Sequence, residues 1–206
     1  MTGKLVLENL KNKPMRSLLS VLLIGVPVTL ILTLVGLSHG MIEDSQQRTR
    51  AIGADIIFRP PGSSLLTLNG TIQEGFVDYL QKQPHVKLAI GVVNQPVQSV
   101  FTGATGIDLD KFRQMNGGFT FVAGARFQRP NDVIVDEWYA SEKKLSVGSR
   151  VPILGHTWRV CGIVAGGKLA RIVFPLPVLQ DLTSNNGRVS QIYIQLDDPA
   201  NTKAVL

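Results

Sequence analysis

An uninterrupted apolar segment near the start of the chain constrains the fold more than any other feature. Residues 17–38 read SLLSVLLIGVPVTLILTLVGLS and contain no charged side chain. An α-helix rises about 1.5 Å per residue, so roughly 20 apolar residues cross a hydrocarbon core of about 30 Å. The segment therefore predicts a transmembrane helix over residues 17–38.

The charges on either side of this segment predict its orientation. Four basic residues precede it: Lys4, Lys11, Lys13 and Arg16. The first charged residues after it are Glu43 and Asp44, so the positive-inside rule places the N-terminus in the cytoplasm. Residues 1–16 are expected to form a short cytoplasmic helix at the membrane interface, or else a basic flank that only sets topology. Everything after the span is expected to be extracytoplasmic.

A cleaved secretory signal is the alternative interpretation of the same segment. A basic start followed by apolar residues is typical of both. The apolar run is longer than the roughly 7–15 residues usual in a signal peptide, and the following LSHGMIED has no small residues spaced as a peptidase site. The length therefore favours an anchor in the plasma (inner) membrane.

The helix is expected to continue out of the membrane as a stem over residues 39–50. This stretch lacks proline, and Gly40 is its only weak helix former. Within the span, Pro27 predicts a kink, and Thr29 and Thr33 lie close enough to bond the carbonyl that proline frees.

Residues 51–206 predict one domain of α+β class, so the expected fold is an N-terminal transmembrane helix followed by a mixed α/β extracytoplasmic domain. The net charge is +6, and the charges alternate in sign along the chain. This pattern indicates a solvated surface and argues against a nucleic-acid partner. Cys161 is the only cysteine, so no disulfide can form within the chain.

Two helices of this domain have recognisable end signals. Residues 71–74, TIQE, match a capping box, and predict a helix with an apolar stripe of Ile72, Phe76 and Leu80 that stops before Pro84. Asp108 is expected to cap a second helix that ends at Gly117 and Gly118. Further helices are expected over residues 137–144 and 178–182, and after Asp197.

The expected strands come from short runs rich in branched and aromatic residues. They are residues 55–59, residues 86–101 as a β-rich stretch, residues 133–135, a hairpin of RVPIL and TWRVCGIV around Gly155 and His156, RIVFP, and QIYIQL. Strands and helices are thus interleaved along the domain.

No set of residues predicts a catalytic, cofactor or metal site. His39, His85 and His156 are far apart in sequence and have no metal-ligand spacing with Cys161. Cys161 lies within an expected strand and is interpreted as a small buried hydrophobe. The chain has no phosphate-binding loop, and the pairs at residues 117–118 and 166–167 are interpreted as turns.

Two other clusters are given structural interpretations. Asp132, Asp136 and Glu137 bracket one strand, so helix capping or a solvated edge explains them better than paired acid and base. The aromatic residues Trp138, Tyr139 and Trp158 are expected to be partly buried packing residues, with a contact patch as the alternative. The chain is therefore not expected to be an enzyme.

Several segments together resemble MacB-type and FtsX-like ABC transporter permeases. ENLKNKPMRSLLSVLLIGV is similar to the cytoplasmic start and first span of that family, and AIGADIIFRP to the beginning of its extracytoplasmic core domain. TGIDLDKFRQM, GARF and NDVIVDEWYASEKKLSVGSRVPILGHTWRVCGIV follow in the family's order. The resemblance extends over nearly the whole chain.

The resemblance implies a permease subunit that couples ATP hydrolysis by a partner ATPase to motion of an extracytoplasmic domain, for export or extrusion. It also implies a homodimer or a paired permease in the membrane, without a cofactor of its own. Such permeases usually have three more spans after the domain, and this sequence has no second long apolar run. The expectation is an N-terminal portion of a longer protein, with a domain incomplete at its C-terminal end. The alternative is a single-span, membrane-tethered interaction or scaffold module without transport activity.

Overall fold

The computed structural model describes residues 14–61, 71–99 and 102–205. The chain forms two compact units, residues 1–46 and residues 47–206, which are described separately. The predicted interfacial helix over residues 1–16 lies almost entirely outside the described residues.

One long helix, α1 (Pro14–Ile52), contains the predicted span. Within the described residues, the 23 residues Leu18–Gly40 are the one helical stretch whose length and composition suit a membrane crossing. The Thr29 hydroxyl donates to the Gly25 carbonyl at 2.8 Å, and Thr33 donates to Thr29 at 2.8 Å. The expected bond to the carbonyl freed by Pro27 is therefore wrong, because that carbonyl belongs to Leu23, four residues before the proline.

The second unit is built on a mixed β-sheet with helices. The strands are β1 (Ile56–Phe58), β2 (Ile72–Gln73), β3 (Val86–Ser99), β4 (Thr102–Ile107), β5 (Phe121–Gly124), β6 (Asp132–Asp136), β7 (Arg150–Ile153), β8 (His156–Val164), β9 (Ile172–Pro175), β10 (Arg188–Val189) and β11 (Gln191–Leu196). The helices are α2 (Gly75–Gln81), α3 (Leu109–Asn116), α4 (Glu137–Lys143), α5 (Leu176–Leu182), a 3-10 turn (Pro199–Asn201) and α6 (Thr202–Val205). This interleaving confirms the predicted α+β class.

The strand order of the main sheet in the described residues is β1-β11-β3-β4-β9-β6-β8-β5, with β7 paired to β8, while β2 and β10 form a separate pair. The β4–β9 and β6–β8 pairs are parallel, and the others are antiparallel. Both faces of the sheet are covered. One face packs around residues such as Trp158, Phe174 and Leu179, and the other around Ile90, Phe112 and Tyr193.

The local signals of α3 are confirmed. The Asp108 side chain accepts from the backbone N–H groups of Asp110 and Lys111, and Gly117 ends the helix with φ +80°. Phe112 and Met115 form its buried side. The capping box at residues 71–74 is wrong, because Ile72 and Gln73 pair as a strand with Val189 and Arg188. Helix α2 consequently begins only at Gly75.

Candidate functional site

The chain passes from the long helix into the domain through residues 51–55, which we call the junction. The last residues of α1, from Gln47 on, belong to the same compact unit as the sheet. Ile52 is buried in the core cluster that also contains Phe112 and Met115 of α3. Ile52, the last residue of α1, is thus part of the domain core.

Hydrogen bonds tie the junction to the C-terminal end of α3. The Asn116 side-chain amide donates to the Ala51 carbonyl at 2.8 Å, and its Oδ1 accepts from the Gly118 N–H at 2.8 Å. The Gln195 side-chain amide donates to the Met115 carbonyl at 3.0 Å. The last carbonyls of a helix have no partner within it, so these side chains satisfy groups that would otherwise need water.

Gly53 allows the backbone of the junction to lie close to the C-terminal end of α3. It follows the last residue of α1 and has φ +77°, a conformation that suits glycine after a helix end. A Cβ atom at this position would lie 2.8 Å from Asn116 Cβ and 3.1 Å from the Met115 carbonyl oxygen. Any side chain here would push against α3.

Asp55 attaches the other side of the junction to the sheet. Its N–H donates to the Ile194 carbonyl at 2.9 Å, and its carboxylate accepts from the Leu196 N–H at 2.8 Å. Strand β1 then pairs with β11 from Ile56 onward. The AIGAD sequence therefore contacts both α3 and β11. The AIGAD sequence belongs to a segment that resembles the permease family, whereas Asn116 and Gln195 are candidates that the sequence did not indicate.

An open cavity lies at the opposite end of α3. Its volume is about 690 Å³. The lining includes Asp108, Leu109 and Asp110 from the start of α3, and Arg126 and Phe127 from the loop after β5. Asp110 and Arg126 form an ion pair at 2.6 Å across this wall. Both partners are largely solvated, so the pair contributes little stability.

Asp132 belongs to a buried ion pair, and the expected solvated edge or cap is wrong for this residue. It is fully buried, and both its oxygens accept from Arg159, at 2.8 Å from Nε and from Nη2. The N–H groups of Gln128 and Arg129 also donate to it, at 2.8 and 2.9 Å. Burial raises the pKa of this carboxyl, but these donors together hold the pKa below its usual value. Asp136 is the cap of α4, as expected, and accepts from the Tyr139 N–H.

The three aromatic candidates are separated by the fold. Tyr139 and Trp158 are buried, and Trp158 packs edge-on against Phe174 with ring centroids 4.9 Å apart. Trp138 is 67% exposed, so its predicted burial is wrong. Helix α4 faces the sheet with Tyr139 and Ala140, which turns the preceding residue towards solvent.

The cysteine and the histidines considered as metal or catalytic candidates do not lie together at one site. Cys161 is buried, and burial raises the pKa of its thiol to about 11, so it is an inert core residue. His85 Nδ1 lies 3.1 Å from an Asp197 oxygen. His156 is the first residue of β8, directly after the hairpin turn, and His39 lies on α1. The described residues contain no group of three potential metal ligands.

The geometry defines a class of protein: a domain of α+β class that follows a helix long and apolar enough to span a membrane. The MacB-like periplasmic core domain family matches residues 17–206. The chain belongs to this family, whose domains are components of ABC-type transporter permeases. The predicted family is therefore confirmed.

Solved structures share the fold. The extracellular domain of the ABC-type transporter YknZ from Gram-positive bacteria matches with TM-score 0.55 and 18% identity, covering 72% of this chain and 86% of that one. The periplasmic region of MacB from Actinobacillus actinomycetemcomitans matches with TM-score 0.56 and 15% identity, covering 74% of this chain and 80% of that one. A comparison with curated protein sequences finds no match for this chain.

Proposed function

We propose that this chain is part of a permease subunit in which α1 moves the extracytoplasmic domain in response to ATP hydrolysis by a partner ATPase in the cytoplasm. The observation that supports this function best is the packed junction. Ile52 is buried, the Ala51 carbonyl is bound by Asn116, and Asp55 is bound to β11. A displacement of the helix end would therefore be carried into the domain core instead of being absorbed by a flexible segment.

The proposal includes an orientation, with the N-terminus in the cytoplasm and the domain outside. It rests on the basic residues before the span and the acidic residues after it. In cells expressing Gly3→Cys or Ser141→Cys, we expect a membrane-impermeant maleimide to label only the exposed position 141. Cys161 serves as an internal control, because it is buried in both variants. Labelling of position 3 alone would reverse the orientation.

The proposed function requires the stem over residues 39–50 to be stiff, and this requirement can be tested. We would compare two seven-residue insertions after Gln46, one rich in alanine that continues the helix by about 10 Å and one of glycine and proline that breaks it. The assembled transporter, with its ATPase, would carry spin labels on Ser141→Cys in the paired permeases. We expect the ATP-dependent change in label separation to survive the alanine insertion and to disappear with the glycine-proline insertion.

ATP hydrolysis should continue in both insertion variants, because the sequence has no phosphate-binding loop. Equal ATP-dependent changes in label separation in the two variants would contradict the proposal that a stiff stem moves the domain. The domain would then be a passively tethered module, which is the alternative function.

A further inference from the structure

Helix α3 touches two separate features of the domain. Its C-terminal residues, Met115 and Asn116, contact the junction at Ala51 and Gly53. Its N-terminal residues, with the cap Asp108, line the open cavity of about 690 Å³. The eight residues of α3 span roughly 12 Å at about 1.5 Å per residue.

We propose that α3 transmits displacement of the junction to this cavity, so that the cavity changes shape when the end of α1 moves. This inference deepens the proposed function and rests on it. In this proposal α3 is the part of the domain that responds to the junction, and Asn116 is the positioning residue that holds α3 against the junction.

Helix α3 can act as one rigid body because both of its ends are capped. Asp108 accepts from two N–H groups at the start, and the Gly117 N–H donates to the Arg113 carbonyl at 2.9 Å at the end. Phe112 and Met115 anchor its buried side in the core. A short capped helix that is held to the domain by side-chain contacts can shift as a unit more readily than a strand whose backbone is bonded along its length.

A shift of α3 would change the shape of the cavity, because residues of its first turn form part of the cavity wall. Asp110 reaches across to Arg126, and Leu109 packs partly against the core while it lines the cavity. Pro175 and Leu176, at the start of α5, form another part of the lining. Since β9 is paired with β4 and β6, this part is fixed in the sheet. The first turn of α3 begins beyond the end of β4 at Ile107 and has no strand pairing of its own.

The test changes a junction residue that faces α3 and measures the accessibility of a residue that lines the cavity. All variants carry Leu109→Cys as the reporter, and its rate of reaction with a maleimide is measured on the full chain in detergent. Gly53→Ala places a methyl group against Asn116 and Met115. Gly155→Ala is the matched control, since Gly155 has the same φ of +77° with nothing within 4 Å of its Cβ position.

We expect Gly53→Ala to change the labelling rate of Leu109→Cys by about threefold or more, the size typical of coupling between sites, and Gly155→Ala to leave it unchanged. Equal rates in the two variants would overturn the proposal. Labelling of buried Cys161 checks that each variant is folded.

A second pair decides the question if Gly53→Ala does not fold. Asn116→Asp keeps the acceptor for the Gly118 N–H but removes the donor to Ala51, whereas Asn131→Asp makes the same change of charge at an exposed position. A shift in the reporter rate only with Asn116→Asp supports the proposal, and no difference refutes it. The labelling rates are measured without the ATPase. The proposal for α3 can therefore be refuted here even if the stem insertions support the proposed function.

Discussion

Asp132→Asn is expected to lower the free energy of unfolding by about 3 kcal/mol. The substitution leaves the Arg159 guanidinium without its carboxylate, although this partner is 27% exposed and can regain some water. It also places an amide N–H among the donors of Gln128, Arg129 and Arg159. Urea unfolding of the full chain in detergent at pH 7 measures the loss.

The pH dependence of unfolding provides a second test of the Asp132–Arg159 ion pair. The pKa of Asp132 is lowered in the folded protein, so its contribution is present above the unfolded-state pKa of about 3.9 and is lost as the pH falls through the folded value. The difference between wild type and Asp132→Asn should therefore shrink below about pH 4.

Asp110→Asn is the control for Asp132→Asn, because its ion pair with Arg126 is solvated. It should change stability by less than about 1 kcal/mol. Equal losses for the two variants would mean that burial of the Asp132 pair does not matter.

Trp158→Ala is expected to cost about 4 kcal/mol, in the range for large-to-small substitutions in a core. The indole is 6% exposed, packs edge-on against Phe174, and donates to the Ile153 carbonyl at 3.0 Å. Its removal leaves a cavity under the β7–β8 hairpin and a buried carbonyl without that donor. Chemical unfolding followed by circular dichroism measures the change.

Trp138→Ala provides the matched control, since Trp138 and Trp158 are the two tryptophans of the chain. Trp138 is 67% exposed, so this variant should lie within about 0.5 kcal/mol of wild type. Each variant retains one tryptophan, and the emission of the Trp158 indole should be the blue-shifted one. A larger loss for Trp138→Ala than for Trp158→Ala would contradict the packing.

The sequence predicts best those elements whose signals are local. Helix α3 is specified by Asp108 at one end and Gly117 at the other, and both residues act on backbone within a few positions. The hairpin of β7 and β8 is also a local feature, but its two-residue turn is Leu154 and Gly155, both with positive φ, which is one residue earlier than the predicted turn at Gly155 and His156. Neither prediction needs knowledge of the rest of the chain.

Errors occur where a distant partner overrides the local signal. The capping box fails because Ile72 pairs with Val189, and long-range pairing decides between helix and strand there. Asp132 finds Arg159 only because β6 lies beside β8, so its burial could not be predicted from its position next to a loop. Trp138 and Tyr139 are adjacent in sequence, and only the packing of α4 on the sheet separates them.

The candidate site was the least predictable part. The resemblance identified the AIGAD segment, but the bond from Asn116 to Ala51 joins residues 65 positions apart, and no local pattern indicates it. Gln195 likewise reaches Met115 across 80 positions. A site made of backbone carbonyls and amide side chains has no characteristic spacing, unlike a metal or phosphate site.

The attachment of Asp55 to β11 joins two residues of the domain that are 141 positions apart in the sequence. The domain's first strand begins where its last long strand finishes, and Asp55 holds Leu196 directly through its carboxylate. The chain therefore enters β1 and leaves β11 about one hydrogen bond apart, so a force applied at residues 51–55 acts on the first and last long strands of the sheet at once.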